Sequence, residues 1–377
     1  MGLGHLPKIT TDGLVSMYDI GDDGKSYAGE PTTNYGPSSF ADWSTEGTAE
    51  RIATGNTYRG QPTYNCRTQV GSSWVGLYKT VSGLRTAAGS SGTVTMSCMV
   101  RNNNSTAYSM YAFIGHDFSS IRSIAANSDW QKVQWTVNQS SMSSDYVEFR
   151  PYTNNANIYL EMTMPMVEVN KGHATQFTTG TRSNTQALLD RTKNTTITLS
   201  NMSYDSNAQM SFDGTDDYFQ ISDPNVSSSD GFSIELIIKP DNPTSSPAVI
   251  VPNSGGIDHW LRFDSSGRLY IRMIPAADSG GQNFKTSTQL SSGNYHHVVF
   301  TFKQSEGGKA YYNGALETSA AATLTALDWS SVWRIGQRGN GTWYYQGEIP
   351  TIKVYNKELT AEEVSRNFNA IRSRFGI

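Results

Sequence analysis

The chain has 377 residues, which is long for a single hydrophobic core, so two domains are expected. Charged residues make up 16% of it and the formal net charge is −4, without a long basic run, so we expect no nucleic-acid binding. No apolar run approaches the roughly 20 residues that span a bilayer, and residues 1–13 lack the apolar segment of a signal peptide, so we expect no membrane insertion.

The first predicted strand is residues 12–19, DGLVSMYD, and a stretch rich in Gly, Asp and Pro follows it. Residues 38–182 then show apolar residues at every second position in several short runs, of which 93–101 is the clearest. Short strands of this kind, without a helical period, predict an antiparallel β-sandwich. Trp130 and Trp135 are predicted to lie in its core.

The two cysteines, Cys66 and Cys98, are too few for a disulfide scaffold. Cys98 alternates with apolar residues in the run 93–101, as a core residue does. We therefore predict that both cysteines are buried thiols.

A second set of strands follows residue 196. The sequence GTDD predicts a turn between Phe212 and Tyr218. Apolar residues at every second position of 232–238 predict a strand with one face in a core.

One helix is predicted at the C-terminal end. Thr360 followed by Glu363 has the spacing of a capping box, in which each side chain bonds to a free backbone N–H of the first turn. The apolar residues that follow form one stripe at helical spacing: Val364, Phe368, Ile371 and Phe375. We expect this helix to pack on the sandwich or on a neighbouring subunit.

Several motifs after residue 196 resemble, in the same order, those of laminin G-like domains with a concanavalin A-like jelly roll. They are FDGTDDY from residue 212, FSIE from 232, YHHVVFTF from 295, YYNG from 311, RIG from 334, GEI from 347 and KVYN from 353. The ending LTAEEV, NFNA and RFG, from residue 359, is similar to the end of laminin G-like structural proteins of tailed bacteriophages, especially cyanophage-type ones.

Residues 38–182 resemble carbohydrate-binding-module-like jelly rolls of phage tail and capsid-associated proteins, through their closing segment after Pro165. Residues 189–196, LDRTKNTT, match the segment that usually follows the first strand of the laminin G-like domain, so the second sandwich is predicted to be inserted after that strand. The resemblance thus implies an all-β fold of two antiparallel β-sandwich (jelly-roll) domains with one C-terminal α-helix. Its predicted parts are the first strand and linker at 1–37, the inserted sandwich at 38–182 and the laminin G-like domain at 183–377.

Aromatic side chains are the main candidate functional residues, because sugar rings stack on flat rings while their hydroxyls bond to polar groups. In the inserted sandwich the candidate carbohydrate-binding residues are Trp74, Tyr78, Arg150, Tyr152 and Tyr159, with Arg150 as a bidentate donor. In the laminin G-like domain they are Trp260, Trp343 and Tyr344, beside Asp258, His259 and Tyr345. The alternative is that these side chains only cover a sandwich edge, pack within the fold or form a subunit interface.

One acidic turn is a candidate metal site. Asp213, Asp216 and Asp217 supply the hard oxygen ligands that calcium prefers, and laminin G-like domains often hold calcium. The alternative is that these Asp residues cap the turn without a metal. No other cofactor is expected.

Catalytic signals are poor. Glycoside hydrolysis needs two carboxyl groups, whereas Glu235 has no acidic partner on its face of the strand 232–238. His296 and His297 are adjacent in a strand and therefore point to opposite faces, a poor arrangement for a shared metal. We assign no catalytic residue and expect no enzyme activity.

The family resemblance implies a non-enzymatic virion structural protein: a fibre, a neck or tail appendage, or a capsid decoration. Its expected partners are other virion proteins, further copies of itself (a trimer is the common fibre state) and a host surface glycan. A dedicated carbohydrate-binding adhesin is the first alternative. A polysaccharide-degrading enzyme is the second.

Overall fold

The structure is a computed structural model that describes residues 8–22, 25–68, 76–153, 157–206, 209–227, 229–252, 259–273, 282–304, 306–321, 329, 331–339 and 341–377. The chain divides into two compact units. Unit 1 comprises Met1–Gly29, Asn184–Asp205 and Gln209–Ile377, and unit 2 comprises Glu30–Ser183 and Ser206–Ala208.

The strands of unit 1, numbered in chain order over both units, are β1 (Leu14–Asp19), β15 (Ile197–Ser200), β16 (Ser203–Tyr204), β17 (Met210–Asp213), β18 (Tyr218–Ile221), β19 (Phe232–Pro240), β20 (Ala248–Pro252), β21 (Trp260–Phe263), β22 (Leu269–Met273), β23 (Gln282–Lys285), β24 (His296–Lys303), β25 (Gly307–Tyr312), β26 (Ala315–Ala320), β27 (Trp333–Ile335) and β28 (Gln346–Tyr355). Those of unit 2 are β2 (Thr32–Thr33), β3 (Ser44–Thr45), β4 (Glu50–Tyr58), β5 (Gln61–Arg67), β6 (Leu77–Thr80), β7 (Thr93–Asn102), β8 (Tyr108–Ile114), β9 (Asp117–Phe118), β10 (Arg122–Ile124), β11 (Ser128–Asn138), β12 (Tyr146–Tyr152), β13 (Leu160–Val169) and β14 (Thr181–Arg182). The helices are α1 (Leu84–Ala88) and α2 (Ala361–Phe375), with 3₁₀ turns at Phe40–Asp42, Gln139–Ser141 and Pro243–Ser245.

Unit 1 is a sandwich of two antiparallel sheets. The eight-stranded sheet has the order β16-β17-β28-β19-β24-β25-β26, and β1 also pairs with β28. The seven-stranded sheet has the order β15-β18-β27-β20-β21-β22-β23. One hydrophobic core draws side chains from both sheets, and the predicted core face of β19 (Phe232, Ile234, Leu236 and Ile238) is buried in it.

The loop after residue 188 ties β1 into this sandwich. Asp190 is buried, and one oxygen of its carboxylate accepts a hydrogen bond from the backbone N–H of Met17 at 2.8 Å. The other oxygen accepts from the N–H groups of Asn194 and Thr195. A single buried carboxylate therefore fixes both the loop and the first strand.

Unit 2 is also built from antiparallel sheets. Its five-stranded sheet has the order β11-β7-β13-β5-β4, and its six-stranded sheet has the order β10-β8-β12-β6-β3, with β9 pairing to β8. A separate core contains both cysteines and the predicted core residue Trp135. Both thiols are free and buried, as predicted, and burial raises their pKa values. The all-β fold class is thus confirmed.

The prediction that Trp130 lies in the core is wrong. Trp130 is half-buried and stacks on Tyr58, with ring centroids 4.6 Å apart. A register shift between Ser128 and Gln131 interrupts the alternation of β11, so the pattern that places Trp135 inside does not extend to Trp130.

The predicted capping box at α2 is present. The Thr360 side chain accepts from the Glu363 N–H, and the Glu363 carboxylate accepts from the Thr360 N–H at 3.0 Å. The helix packs on its own sandwich, because Val364 forms a small cluster with residues of β24, β25 and β28. Among the described helices, none is long and apolar enough to span a bilayer.

Candidate functional site

The outer face of the seven-stranded sheet of unit 1 carries a dense set of aromatic and cationic side chains. We call it the arginine–aromatic face. It consists of Tyr218, Trp260, Arg262, Tyr270, Arg272 and Arg334 on the strands and Gln337, Arg338, Trp343 and Tyr344 on the loop between β27 and β28.

Strand alternation explains why these side chains share a face. In β21 and β22 the odd-numbered residues are buried in the core, so the even-numbered ones point outward. The antiparallel register sets Trp260 opposite Arg272 and Arg262 opposite Tyr270. Each aromatic residue therefore has an arginine as its cross-strand neighbour.

The guanidinium groups lie against the indole rings. Arg272 is 4.9 Å from the centre of the Trp260 ring, and Arg262 is 4.1 Å from that of Trp343. Arg338 is 4.3 Å from the Trp343 ring. The two indoles meet edge to face at 5.6 Å. Cation–π contacts of this kind hold the plane of a guanidinium while its N–H edges stay available.

The loop holds Trp343 in an unusual backbone conformation. Its φ is +57°, a left-handed value that costs a bulky residue on the order of 1–3 kcal/mol. The Trp343 carbonyl accepts from the Ala248 N–H at 2.8 Å, and a turn joins Arg338 to Thr342 and Gly341 with 3.0 Å hydrogen bonds. The surrounding structure thus fixes the indole against the sheet despite the strain.

A second line of contacts extends the face across β27. Arg334 is 5.1 Å from the centre of the Tyr218 ring and donates to the Gln337 side chain at 3.0 Å. Gln337 in turn donates to the Tyr344 hydroxyl at 2.9 Å. Amide, hydroxyl and guanidinium groups therefore stand beside the two indoles.

The electrostatics of this face are one-sided. None of its seven strands contains an Asp or a Glu. Arg262, Arg272 and Arg334 form no ion pair with any described residue. Their Nε atoms are buried and have no hydrogen-bond partner. No hydrogen bond or ion pair joins the Arg262 or Arg272 side chain to a described residue, so the terminal N–H groups of these two guanidiniums are available to acceptor atoms from outside.

The structure brings together the three site residues predicted in the laminin G-like region, Trp260, Trp343 and Tyr344. Their role in binding stays a prediction. Of the neighbours named with them, Tyr345 and His259 are buried, and Asp258 lies outside the described residues. The arginines and Tyr270 were missed, although the alternation WLRF and LYIRM was the signal that could have placed them beside Trp260.

The candidates in unit 2 are divided between its two sheets. Trp74 lies outside the described residues. Tyr78, Arg150 and Tyr152 lie on the six-stranded sheet, whereas Tyr159 precedes β13 of the five-stranded sheet. The Tyr159 hydroxyl donates to Glu50 at 2.8 Å.

Contacts within unit 2 already engage these side chains. Arg150 donates to both oxygens of the buried Glu148, at 2.7 and 3.0 Å. Tyr78 stacks on Tyr146 at 5.4 Å, and Tyr152 meets Tyr111 edge to face. Arg150, which was predicted to be a bidentate donor to a ligand, therefore binds the internal carboxylate of Glu148. A glycan cleft in unit 2 stays a prediction.

The acidic turn forms a compact cluster. One oxygen each of Asp213, Asp216 and Asp217 lie within 4.8 Å of one another. Asp213 caps the turn by accepting from the Thr215 N–H, but the buried Asp217 keeps one oxygen without a hydrogen-bond partner. Burial raises the pKa of Asp217 to about 6. Three neighbouring carboxylates, one of which has an unpaired buried oxygen, fit a divalent cation such as calcium.

Glu235 belongs to a closed network rather than to a reactive pair. Its carboxylate accepts from Lys353 at 2.5 Å and from Asn367 of α2 at 2.6 Å, and His297 lies 3.2 Å away. Burial opposes the charge most strongly, but Lys353 and His297 together outweigh it and lower the pKa of Glu235 to about 2. His296 faces the other side, where it contacts Tyr312 and Ser291.

Residues 213–365 match the laminin G family model described as the concanavalin A-like lectin/glucanases superfamily. Unit 1 therefore contains a laminin G-like jelly-roll domain. No curated protein matches the chain.

Solved structures that resemble part of the chain include binding domains of botulinum neurotoxin serotype D and of a Paraclostridial protein. The botulinum neurotoxin serotype D binding domain is 16% identical over 50% of this chain and 49% of that chain, with a TM-score of 0.41. The serotype D ligand-binding domain in complex with N-acetylneuraminic acid is 18% identical over 50% and 49%, at 0.40. The binding domain of Paraclostridial mosquitocidal protein 1 is 16% identical over 48% and 49%, at 0.41. The chain spans about half the length of these structures.

Proposed function

We propose that this protein is a non-enzymatic glycan-binding protein and that the arginine–aromatic face of its laminin G-like domain binds the glycan. The observation that carries the proposal is the convergence of two tryptophans, three tyrosines and several arginines on one sheet face. Ligand sites combine such apolar surface with a few placed polar groups.

The roles within the face differ. Trp260 is only 6% exposed and serves as a base on which Arg272 is held. Trp343, Tyr270 and Tyr344 are half-buried, so they offer ring surface to the C–H face of a sugar. Guanidinium and amide groups beside them supply hydrogen bonds to its hydroxyls.

Two features support a binding role over hydrolysis. Glycosidases need two carboxyl groups on either side of the scissile bond, and the seven strands beneath this face supply none. Glu235 is buried in its network with Lys353 and cannot reach a substrate.

The phage-like C-terminal motif supports a place on a virion, as a fibre, a neck or tail appendage, or a capsid decoration. There the protein would meet other virion proteins and further copies of itself. Several copies presented together would turn weak single sites into firm attachment to a host glycan, because the second binding event becomes intramolecular.

A glycan array with wild-type protein and two single variants tests the proposal. We expect wild type to bind a defined set of glycans, Trp343→Ala to lose it, and Trp130→Ala, a half-buried tryptophan of unit 2, to keep it. Circular dichroism would check that each variant is folded. If wild type binds no glycan, or if Trp130→Ala alone abolishes binding, the proposal fails. Release of reducing ends from a bound polysaccharide would refute the non-enzymatic part.

A further inference from the structure

We infer that the ligand of the arginine–aromatic face is an acidic glycan, a polysaccharide whose repeating units carry carboxylate or sulfate groups. This inference rests on the proposed glycan-binding function and specifies its ligand class. Three observations lead to it: the charge of the face, the way its arginines are held, and their spacing.

The charge of the face is opposite to that of the whole chain. The formal net charge of the protein is −4, yet the seven strands carry Arg262, Arg272, Arg334 and Lys285 and no acidic residue. None of the three arginines forms an ion pair with a residue in the described part of the chain, and a neutral-sugar site has no need of such cations. A local excess of one sign attracts ligands of the other sign and accelerates their association.

The arginines are held in advance of binding. Arg262 and Arg272 lie against indole rings, at 4.1 and 4.9 Å from the ring centres, and neither side chain forms a hydrogen bond or ion pair with a described residue. A guanidinium presents its N–H groups as a fork that matches the two oxygens of a carboxylate or sulfate. Since the side chains are already ordered, little rotamer freedom is left to lose on binding.

The spacing favours a polymer with repeated charges. Arg262 and Arg272 are diagonal neighbours on β21 and β22, which places them roughly 7–8 Å apart at the backbone. Arg334 stands on β27, two strands from β21, or about 10 Å across the sheet. One small anion cannot reach all three, whereas successive units of a charged chain can.

The same residue types also bind single-stranded nucleic acid, by stacking and phosphate contacts. The observations favour the glycan, because the chain as a whole is acidic and the arginines without an ion-pair partner among the described residues lie on one sheet of a lectin-type fold. Nucleic acid is therefore treated as an outcome that would overturn the inference.

Isothermal titration calorimetry with matched polymers tests it. The first pair is polygalacturonate and its fully methyl-esterified form, in which a neutral methyl ester replaces each carboxylate. The second pair is a sulfated galactan and its desulfated form. We expect the charged member of at least one pair to bind at least tenfold more tightly, and this preference to shrink as salt rises from 50 to about 500 mM. The pair that shows the preference identifies carboxylate or sulfate as the recognised group.

Single variants test which arginines cause the preference for the charged polymer. Arg272→Gln and Arg262→Gln should each weaken binding of the charged polymer roughly ten- to a hundredfold, the usual effect of losing a charged hydrogen bond. Arg272→Lys should bind the charged polymer more tightly than Arg272→Gln but less tightly than wild type, because an ammonium cannot offer two parallel N–H groups to two oxygens. Arg366→Gln removes an arginine of α2 that is half exposed and should change nothing.

The outcomes separate this inference from the proposed function. Equal binding of charged and uncharged polymers overturns the acidic ligand and leaves glycan binding intact. Tighter binding of a single-stranded oligonucleotide than of either polysaccharide also overturns it. Failure to bind any glycan, here and on the array, overturns both.

Discussion

The buried ion pair beneath α2 gives the sharpest prediction for stability. Lys353 and Glu235 are 2.5 Å apart, and each side chain is 1% exposed. Replacing Lys353 by Met removes the cation and leaves a carboxylate buried without its main partner. Such a loss costs about 3–5 kcal/mol, a large share of the stability of a domain.

The effect should depend on pH. The pKa of Glu235 is about 2, against an ordinary value of 4.5, so in wild type its charge stabilises the fold above pH 4.5 and this stabilisation is lost as pH falls toward 2. This lowering of the pKa corresponds to about 3 kcal/mol of stabilisation. In Lys353→Met the carboxylate is no longer held in its charged form, so the variant should lose most stability near pH 7 and come closer to wild type near pH 4.

Stability must be measured at α2 and its sheet rather than for the chain as a whole, because the chain forms two compact units. Hydrogen exchange of the α2 amides, followed by mass spectrometry at increasing urea concentration, reports opening of the helix and its sheet. The control is Lys303→Met, which removes an exposed ion pair with Glu306 and should cost less than about 1 kcal/mol. Adding Glu235→Gln to Lys353→Met should restore most of the loss, since Gln keeps an acceptor for Asn367. If Lys353→Met costs no more than the control, the buried network does not hold the helix.

Three further predictions concern other parts of the chain. Asp217→Asn should raise the free energy of unfolding near pH 8 by up to about 3 kcal/mol and leave it unchanged near pH 3. The pKa of Asp217 is raised to about 6 from 3.8, so ionisation of this carboxyl destabilises the wild-type fold as pH rises. Urea titrations at the two pH values check this. Calcium at millimolar concentration should raise the melting temperature of wild type but not of Asp217→Asn, and an equal rise in both would exclude this turn as the site. Arg150→Met should lower the melting temperature by several degrees, since it leaves Glu148 buried without its cation, while binding at the arginine–aromatic face is unchanged. Unaltered stability with lost glycan binding would instead favour the cleft predicted in unit 2.

Local patterns in the sequence were sufficient for much of the fold. Alternation from Phe232 onward identified a core strand because one face of β19 is buried along its length. The spacing of Thr360 and Glu363 identified the start of α2, since a capping box is a local device. The single-turn helix Leu84–Ala88 was missed, because five residues are too few to show a period.

Pairing between distant strands explains what the sequence could not give. Arg272 lies beside Trp260 only because β21 and β22 pair in one particular register, and no pattern within either strand fixes that register. Likewise Arg150 lies in β12 and Tyr159 directly precedes β13, and both strands show alternating residues. The sequence does not reveal that β12 and β13 belong to different sheets. A site made from two or more strands is therefore visible in the sequence only as separate residues.

The most direct test of the central claim is a crystal structure of the protein with a bound oligosaccharide, chosen from the glycans that the array identifies. We predict sugar density over Trp343, with its anionic groups within hydrogen-bond distance of Arg262 and Arg272. Density confined to unit 2, beside Tyr78 or Tyr152, would contradict the assignment of the arginine–aromatic face as the binding surface.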